Sequence, residues 1–152
     1  MKIKLPGRGL TEIDNIVFDF NGTLAKNGKL TDDAKDLIEK FQNRINIYIA
    51  TSDIFGNAKE ELKDLKVNII NAKTGAEKLA FIMKLGYTKT IAVGNGNNDI
   101  LMLKKAVVGI CINDSDGTTP ECISNSNIVV NDVKNIANLL ENENLIFSIL
   151  QK

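Results

Sequence analysis

The sequence contains no histidine and no tryptophan, and it has only two prolines and two cysteines. Without histidine, a His-based zinc site, a Ser-His triad and a histidine general base are all excluded. No Cys-x-x-Cys pair is present either. Any acid–base or metal chemistry must therefore come from carboxylates, amides and hydroxyls, and such oxygen ligands favour hard cations such as Mg²⁺.

An excess of charge of either sign is also absent, because 19 Lys and Arg residues balance 19 Asp and Glu residues. This balance gives no electrostatic reason to expect nucleic acid or an anionic membrane surface as a partner. No apolar run approaches the roughly 18 residues that a membrane helix needs. Residues 1–7 also lack the apolar segment of a signal peptide. We therefore expect a cytoplasmic protein with no nucleic acid and no membrane among its partners.

The two cysteines lie in different sequence surroundings. Cys111 falls in the apolar run 107–112, whereas Cys122 falls in a polar stretch. In a Cys-poor enzyme, a reducing cytosol is the default environment. The pattern therefore predicts one buried thiol and one incidental thiol.

Short apolar runs alternate with amphipathic segments along the chain. Strands are predicted at residues 15–20, 45–50, 67–70, 90–93, 107–112 and 128–130. Helices are predicted at residues 31–41, 58–65, 75–85, 100–105 and 133 to about 140. This alternation predicts an α/β fold, a three-layer Rossmann-like arrangement with a mainly parallel sheet covered on both faces. The length of 152 residues suits one domain.

Polar clusters follow three of the predicted strands, at residues 19–23, 51–53 and 94–99. In open α/β sheets, ligands bind beyond the carboxyl ends of the strands, so these clusters should meet in one site. Lys78 lies early in the helix before the fourth strand. Together these residues supply a carboxylate nucleophile, a hydroxyl, a cation and a second carboxylate. The set is suited to phosphoryl transfer without a Walker lysine loop.

Four segments, in order, resemble the motifs of the haloacid dehalogenase superfamily. Asp19-Phe-Asn-Gly-Thr23 after a strand is similar to the first motif, and Thr51 to the second. Lys78 is similar to the third motif, and Gly94-Asn-Gly-Asn-Asn-Asp99 to the fourth. Each motif is weak alone, but four of them, each beyond the expected element, are a strong signal.

The resemblance is closest to the phosphorylation domains of P-type ATPases. The first motif continues into Leu24 as theirs does, and residues 101–130 resemble their run of strand, turn, short helix and strand. The resemblance covers residues from about 16 to 133. It implies a single haloacid dehalogenase-like domain over residues 1–152 without a cap domain, since no large insert separates the motifs.

The resemblance also implies a Mg²⁺-dependent phosphohydrolase that forms an aspartyl-phosphate on Asp19. The implied catalytic residues are Asp19, Asn21, Thr51 and Lys78. The implied phosphate-binding residues are Phe20, Gly22, Thr51, Ser52, Lys78 and Asn98. The implied metal ligands are Asp19, Asn21, Asn95 and Asp99. The expected substrate is a phosphorylated small molecule or a phosphoprotein, and ATP could be cleaved as a generic phosphate donor. The sequence does not fix the oligomeric state, although capless members of this superfamily often form homo-oligomers.

The sequence departs from the superfamily pattern at two positions. Asn21 stands where phosphatases carry an aspartate that acts as general acid and base, and an amide cannot transfer that proton. This predicts slow hydrolysis of the intermediate and a preference for good leaving groups. Asn95 stands where the family has a metal-binding aspartate, so one negative charge is lost and weaker Mg²⁺ binding is expected.

Other interpretations remain open at this point. The chain could be a phosphate-binding or regulatory protein in which Asn21 and Asn95 mark lost catalysis. A signalling receiver domain would instead accept phosphate on a later aspartate, such as Asp53. Lys73 is a rival of Lys78 for the phosphate-binding lysine.

Overall fold

The computed structural model describes residues 1–53 and 56–152. Its strands are β1 (Lys2–Leu5), β2 (Gly9–Glu12), β3 (Asn15–Phe18), β4 (Ala25–Lys26), β5 (Lys29–Leu30), β6 (Asn46–Thr51), β7 (Asn68–Asn71), β8 (Thr90–Gly94), β9 (Val108–Ile112) and β10 (Ile128–Val130). Its helices are α1 (Asp32–Phe41), α2 (Ala58–Glu61), α3 (Gly75–Leu85), α4 (Ile100–Lys105), α5 (Pro120–Ser124), α6 (Val133–Glu141) and α7 (Leu145–Leu150).

Within these residues, the centre of the molecule is a parallel sheet of six strands in the order β10-β9-β8-β3-β6-β7. All six strands predicted from the sequence form this sheet, which confirms the α/β fold. The bounds of β10 are as predicted, and those of the other five strands differ from the predicted bounds by one or two residues. β3 ends at Phe18 because a tight turn begins at Phe20, whose carbonyl accepts from the N–H groups of Leu24 and Ala25 at 2.9 Å each.

The central strands are buried on both faces because helices cover each side of the sheet. Ile16 and Phe18 of β3 pack into one apolar cluster, which includes side chains of α1 and α6. Val17, between them, packs into the other cluster with side chains of α3 and α4. This alternation follows from the two-residue period of a strand, and it explains why β3 and β8 appear in the sequence as continuous apolar runs.

The helices begin where the sequence provides caps. Thr31 accepts a hydrogen bond from the N–H of Ala34 at 3.2 Å, as an N-cap should, and Gly86 ends α3 with a left-handed backbone at φ 99°. The predicted helix 58–65 is shorter than expected and ends at Glu61. Within the described residues, no helix is long and apolar enough to cross a membrane.

Two antiparallel hairpins were not predicted from the sequence. β1 pairs with β2 near the chain start, and β4 pairs with β5 directly after the first polar cluster. The turn of the second hairpin is Asn27-Gly28, with φ of 52° and 77°. Asn-Gly is a strong signal for a two-residue hairpin turn, because both residues tolerate positive φ. The sequence thus carries a local signal for this hairpin that hydrophobic periodicity does not reveal.

The expectation that Cys122 is an incidental thiol in a polar stretch is wrong. Cys122 is fully buried on α5, and its Sγ lies 3.3 Å from the Sγ of Cys111 on β9. α5 is too short for a hydrophobic period to be visible in the sequence, so its inward-facing residue could not be recognised there.

Candidate active site at the carboxyl end of the sheet

The polar clusters predicted from the sequence meet at the carboxyl end of the sheet. Phe18 pairs with Ile49 on one side and with Val93 on the other, so the chain segments that follow β3, β6 and β8 leave the sheet next to one another. The N–H of Asp19 donates to the carbonyl of Val93 at 2.9 Å. The parallel register therefore fixes the position of Asp19 relative to the fourth motif.

Lys78 reaches this end of the sheet from the first turns of α3. Its Nζ donates to Oδ1 of Asp19 at 2.9 Å and to Oδ1 of Asp99 at 2.8 Å. The Lys78 side chain is fully buried, whereas Lys73 is exposed. A buried ammonium group is costly unless it is paired, and here it has two carboxylate partners. The structure thus brings Lys78, and not Lys73, to Asp19.

Asp99 is held on every side. Its Oδ2 accepts from the backbone N–H groups of Asn95 at 3.0 Å and Gly96 at 3.1 Å, while Oδ1 accepts from Lys78. A Cβ at Gly94 would overlap the Asp99 carboxylate, so this close approach requires glycine. Its role as a metal ligand stays a prediction, and both of its oxygens already accept hydrogen bonds from the protein.

The two carboxylates differ in their access to solvent. The Asp19 side chain is 11% exposed and the Asp99 side chain is 0% exposed. Burial raises the pKa of Asp19 to about 6, and the neighbouring Asp99 charge adds to this rise, while Lys78 opposes it. Burial lowers the pKa of Lys78, but the two carboxylates outweigh burial and the pKa is raised overall. The three groups carry a net negative charge when all are ionised.

Asn21 and Gly22 form the turn that follows Asp19. The side-chain oxygen of Asn21 is buried and has no hydrogen-bond partner within the described residues. Gly22 has φ of 78°, and a Cβ there would overlap the Asn95 side chain. The first motif therefore needs glycine at this position for two reasons, its backbone conformation and its contact with the fourth motif.

Asn95 links three parts of the site. Its Oδ1 accepts from the Thr23 hydroxyl at 3.4 Å, and its Nδ2 donates to the Gly117 carbonyl at 3.3 Å. Its own carbonyl accepts from the Thr118 hydroxyl at 2.7 Å. The side chain of Asn95 thus faces the first motif, as the family pattern implies, but protein groups engage both of its polar atoms.

Residues 113–119, which we call the β9 loop, also contribute to the site, although no sequence motif indicated them. Besides the contacts to Asn95, Thr119 in this loop donates to Oδ1 of Asn97 at 2.7 Å. Thr119 also caps α5, where Pro120 occupies the first helical position. This polar run followed by Thr-Pro lies after a strand, so the rule that ligands bind at the carboxyl ends of strands could have identified it.

The remaining predicted residues lie at the end of β6 and on the chain segments that follow β3, β6 and β8. Thr51 is buried, and its hydroxyl accepts from the N–H of Asp53 at 3.0 Å, which leaves its own proton free to donate. Ser52 is half-buried next to it, and Asn98 is exposed. The Phe20 side chain is fully buried in the core, so its backbone alone faces the site. A cavity of about 340 Å³ adjoins Thr51, and its lining consists of Thr51, Ser52, Asp53, Lys59, Ile69 and Asn71.

The oxygen donors of the site fit a hard divalent cation in chemical type. The Asp19 carboxylate and the Asn21 backbone carbonyl are oxygen donors, and the buried side-chain oxygen of Asn21 has no protein partner among the described residues. Few of these oxygen donors carry a formal negative charge, however. Within residues 1–53 and 56–152, no group of three His, Cys, Asp or Glu side chains is arranged to hold a metal. The donor set therefore suits Mg²⁺, with few formal charges to bind it.

Comparison with solved structures shows the same fold in known phosphatases. A phosphoserine phosphatase, described as a phospho-aspartyl intermediate analogue, superposes with a TM-score of 0.70 over 84% of this chain and 99% of its own, at 15% identity. The cobalt-bound deoxy-D-mannose-octulosonate 8-phosphate phosphatase from Haemophilus influenzae superposes with a TM-score of 0.68 over 93% of this chain and 91% of its own, at 11% identity. At these identities the likeness establishes the fold.

Sequence comparison gives the family. An uncharacterized protein of Methanocaldococcus jannaschii is 43% identical over an alignment 79 positions long, and the alignment covers 47% of this chain and 85% of the relative. The sequence profile of the haloacid dehalogenase-like hydrolases matches residues 70–140, a range that includes Lys78 and the fourth motif. With the fold of the solved phosphatases, these matches establish that the chain belongs to the haloacid dehalogenase-like hydrolases.

Proposed function

We propose that the protein is a Mg²⁺-dependent phosphohydrolase that works through an aspartyl-phosphate on Asp19. One observation carries this proposal: of the two carboxylates that bind Lys78, Asp19 alone retains solvent access, at 11% against 0% for Asp99. A nucleophile must be reachable by its substrate, whereas a positioning group can be buried. The difference in exposure therefore supports Asp19, and not Asp99, as the proposed nucleophile.

In the first step, an Asp19 carboxylate oxygen attacks phosphorus and the bond from phosphorus to the leaving oxygen breaks. The raised pKa of Asp19, about 6, makes it a more basic carboxylate than usual, and it is still ionised at neutral pH. Lys78 is held beside Asp19 and can offset the negative charge that develops on the phosphoryl oxygens. The free hydroxyl proton of Thr51 can serve the same purpose.

Bound Mg²⁺, held by Asp19, the Asn21 carbonyl and Asn95, would reduce the repulsion between the carboxylate and the phosphate dianion. The protein residues must position both the Asp19 carboxylate and the phosphate. Asn95 is already fixed by Thr23 and Gly117, so its amide oxygen is held in place next to the first motif. Because this amide replaces a carboxylate, we propose that Mg²⁺ binds weakly.

The leaving oxygen takes the electron pair and must obtain its proton from water, because Asn21 cannot supply one. Water then attacks the aspartyl-phosphate, which releases phosphate and restores the Asp19 carboxylate. General acid–base catalysis typically contributes about 10²–10⁴-fold, so its absence at Asn21 favours substrates with good leaving groups. ATP and acyl or aryl phosphates fit this requirement. Kinship with the P-type ATPase phosphorylation domains and self-association stay predictions.

The proposal is tested by p-nitrophenyl phosphate hydrolysis with and without Mg²⁺, in parallel with Asp19→Asn. This substrate has a good leaving group and needs little help from an acid. We expect Mg²⁺-dependent turnover that disappears in the variant, together with a hydroxylamine-labile phosphoryl label on the wild-type chain. Equal rates in the wild type and in Asp19→Asn, at every Mg²⁺ concentration, would contradict the proposal.

A second candidate is a phosphate-binding or regulatory protein. The engagement of both polar atoms of Asn95 by Thr23 and Gly117 favours it, because Asn95 then acts as a link between segments and not as a ligand. This candidate predicts that inorganic phosphate and Mg²⁺ raise the melting temperature while no substrate is turned over. A phosphoryl label on Asp19 would exclude it.

A further inference from the structure

We propose that Cys111 and Cys122 form a reversible disulfide that ties α5 to β9 next to the active site. The two Sγ atoms lie 3.3 Å apart, and both side chains are fully buried. A disulfide bond is about 2.0 Å long, so the sulfurs need to approach each other by only about 1.3 Å. The Thr118 hydroxyl lies 3.1 Å from Cys111 Sγ.

α5 is a short helix, and its local opening would give a reagent access to the pair. The helix has five residues, and Cys122 is its buried side chain. Short segments with few buried apolar contacts open locally at low free-energy cost. Burial raises the pKa of Cys122 to about 12, so in the closed conformation this thiol is protonated and unreactive. Oxidation therefore begins from the locally open state.

The reaction is an exchange with a low-molecular-weight disulfide such as oxidised glutathione. The thiolate of one cysteine attacks the reagent, forms a mixed disulfide and releases one glutathione thiolate. The thiolate of the second cysteine then attacks the protein sulfur, forms the Cys111–Cys122 bond and releases the second glutathione. Each cysteine loses one proton, and the two electrons that the protein thiols lose reduce the reagent to two thiols.

The disulfide would act on the active site through the β9 loop, which lies between the two cysteines. This loop contributes the Gly117 carbonyl and the Thr118 hydroxyl that hold Asn95. It also contributes Asp114, whose Oδ1 lies 3.3 Å from Nζ of Lys26 in the β4–β5 hairpin. A covalent tie at both ends of the loop would restrict the motion of these contacts. Oxidation would thereby stabilise one arrangement around Asn95.

The test uses the full chain incubated with oxidised glutathione, then denatured, alkylated and analysed by mass spectrometry. We expect a mass lower by two hydrogen atoms, a single linked peptide pair containing Cys111 and Cys122, and full reversal by dithiothreitol. Amide hydrogen exchange in residues 113–122 should slow by about tenfold on oxidation, because local opening is then restricted. Exchange in β1 and β2 serves as the internal reference and should not change.

Cys111→Ala and Cys122→Ala are the matched variants, and in each of them oxidant should leave the exchange of residues 113–122 unchanged. If Cys111→Ala does not fold, Cys122→Ala on the short helix carries the control. Three outcomes in the wild type would each overturn the proposal. The first is a stable glutathione adduct on either cysteine, and the second is a disulfide-linked dimer. The third is two unmodified thiols after incubation with oxidised glutathione at a temperature where residues 113–122 exchange freely. None of these readouts depends on phosphatase activity.

Discussion

The two ends of the parallel sheet differ in the solvent exposure of their charged side chains. At the carboxyl end, Asp19, Lys78 and Asp99 form a buried cluster with side-chain exposures between 0% and 11%. At the amino end, Asp14 pairs with Lys89 at 3.6 Å, and these side chains are 43% and 56% exposed. The amino end nevertheless has the larger cavity, about 490 Å³ against about 340 Å³ beside Thr51.

The larger cavity and the buried charges therefore lie at opposite ends of the sheet. Charges at the amino end remain in water and cost little, whereas two carboxylates and one ammonium are held out of water at the other end. A fold retains such a cluster against its desolvation cost when the cluster has a role, and strongly perturbed pKa values mark candidate active sites. The site is therefore better located by buried charge than by volume.

The largest expected effect is the loss of turnover in Asp19→Asn. Removal of the proposed nucleophile should lower kcat for p-nitrophenyl phosphate by at least about 10⁴-fold. Asp14→Asn is the matched control, since Asp14 lies at the other end of β3 and keeps its solvent exposure. Its kcat should equal that of the wild type. A comparable loss in Asp14→Asn would mean that the amino end of the sheet takes part in the reaction.

Lys78→Met should destabilise the protein strongly, because two buried carboxylates lose their shared cation. Removal of one partner from a buried ion pair typically costs about 3–5 kcal/mol, measured here as the free energy of unfolding in urea. The control is Lys89→Met, whose exposed pair should contribute less than about 1 kcal/mol. Equal losses in the two variants would remove the contrast between the two ends.

Asn21→Asp should restore a general acid to the site. For alkyl phosphates, which are poor leaving groups, we expect kcat/KM to rise by about 10²-fold. For p-nitrophenyl phosphate the rise should be much smaller, because the leaving group needs less protonation. The ratio of the two rates is the diagnostic measurement. An equal gain for both substrates would point to altered phosphate binding and not to proton transfer.

The smallest expected effect is a pH dependence of stability in the absence of Mg²⁺. The pKa of Asp19 is raised from 3.8 to about 6 in the folded protein, so the folded state binds the proton more tightly than the unfolded state does. Stability that depends on protonated Asp19 is fully present below pH 3.8 and is lost as the pH rises through about 6. On acidification from pH 7 to pH 4, the wild type should gain on the order of 2 kcal/mol relative to Asp19→Asn.

Urea unfolding of both proteins across this pH range measures the difference. A loss of wild-type stability on acidification, relative to Asp19→Asn, would show that Lys78 affects the pKa of Asp19 more strongly than burial does.

Much of the fold could be predicted because β3 and β8 are buried on both faces and appear as short apolar runs. The motif residues followed these runs, so their convergence was predictable from the geometry of parallel strands. The choice between Lys73 and Lys78 was not, since both are lysines near the start of one helix. The structure places buried Lys78 beside Asp19 and Lys73 in solvent, and the role of Lys78 in phosphate binding stays a prediction.

Contacts between distant segments could not be predicted from the sequence. Asn95 and Thr23 are 72 positions apart, and nothing in either segment indicates that an amide and a hydroxyl meet. Cys122 shows the same limit, because a five-residue helix has no visible period and its inward side chain lies among polar neighbours. The β4–β5 hairpin is different, since Asn27-Gly28 was a local signal that could have been used.

The position of β3 in the middle of the sheet has a consequence for biosynthesis. Its neighbours are β6, from the middle of the chain, and β8, which ends at Gly94, so one edge of β3 has no partner until Gly94 has been made. A ribosome-bound chain halted earlier would present an unpaired apolar strand, which is a template for aggregation. Asp19 would at that stage lack the fourth motif entirely. Asp19, the proposed nucleophile, is thus among the first parts of the site to be synthesised, and its surroundings are completed late.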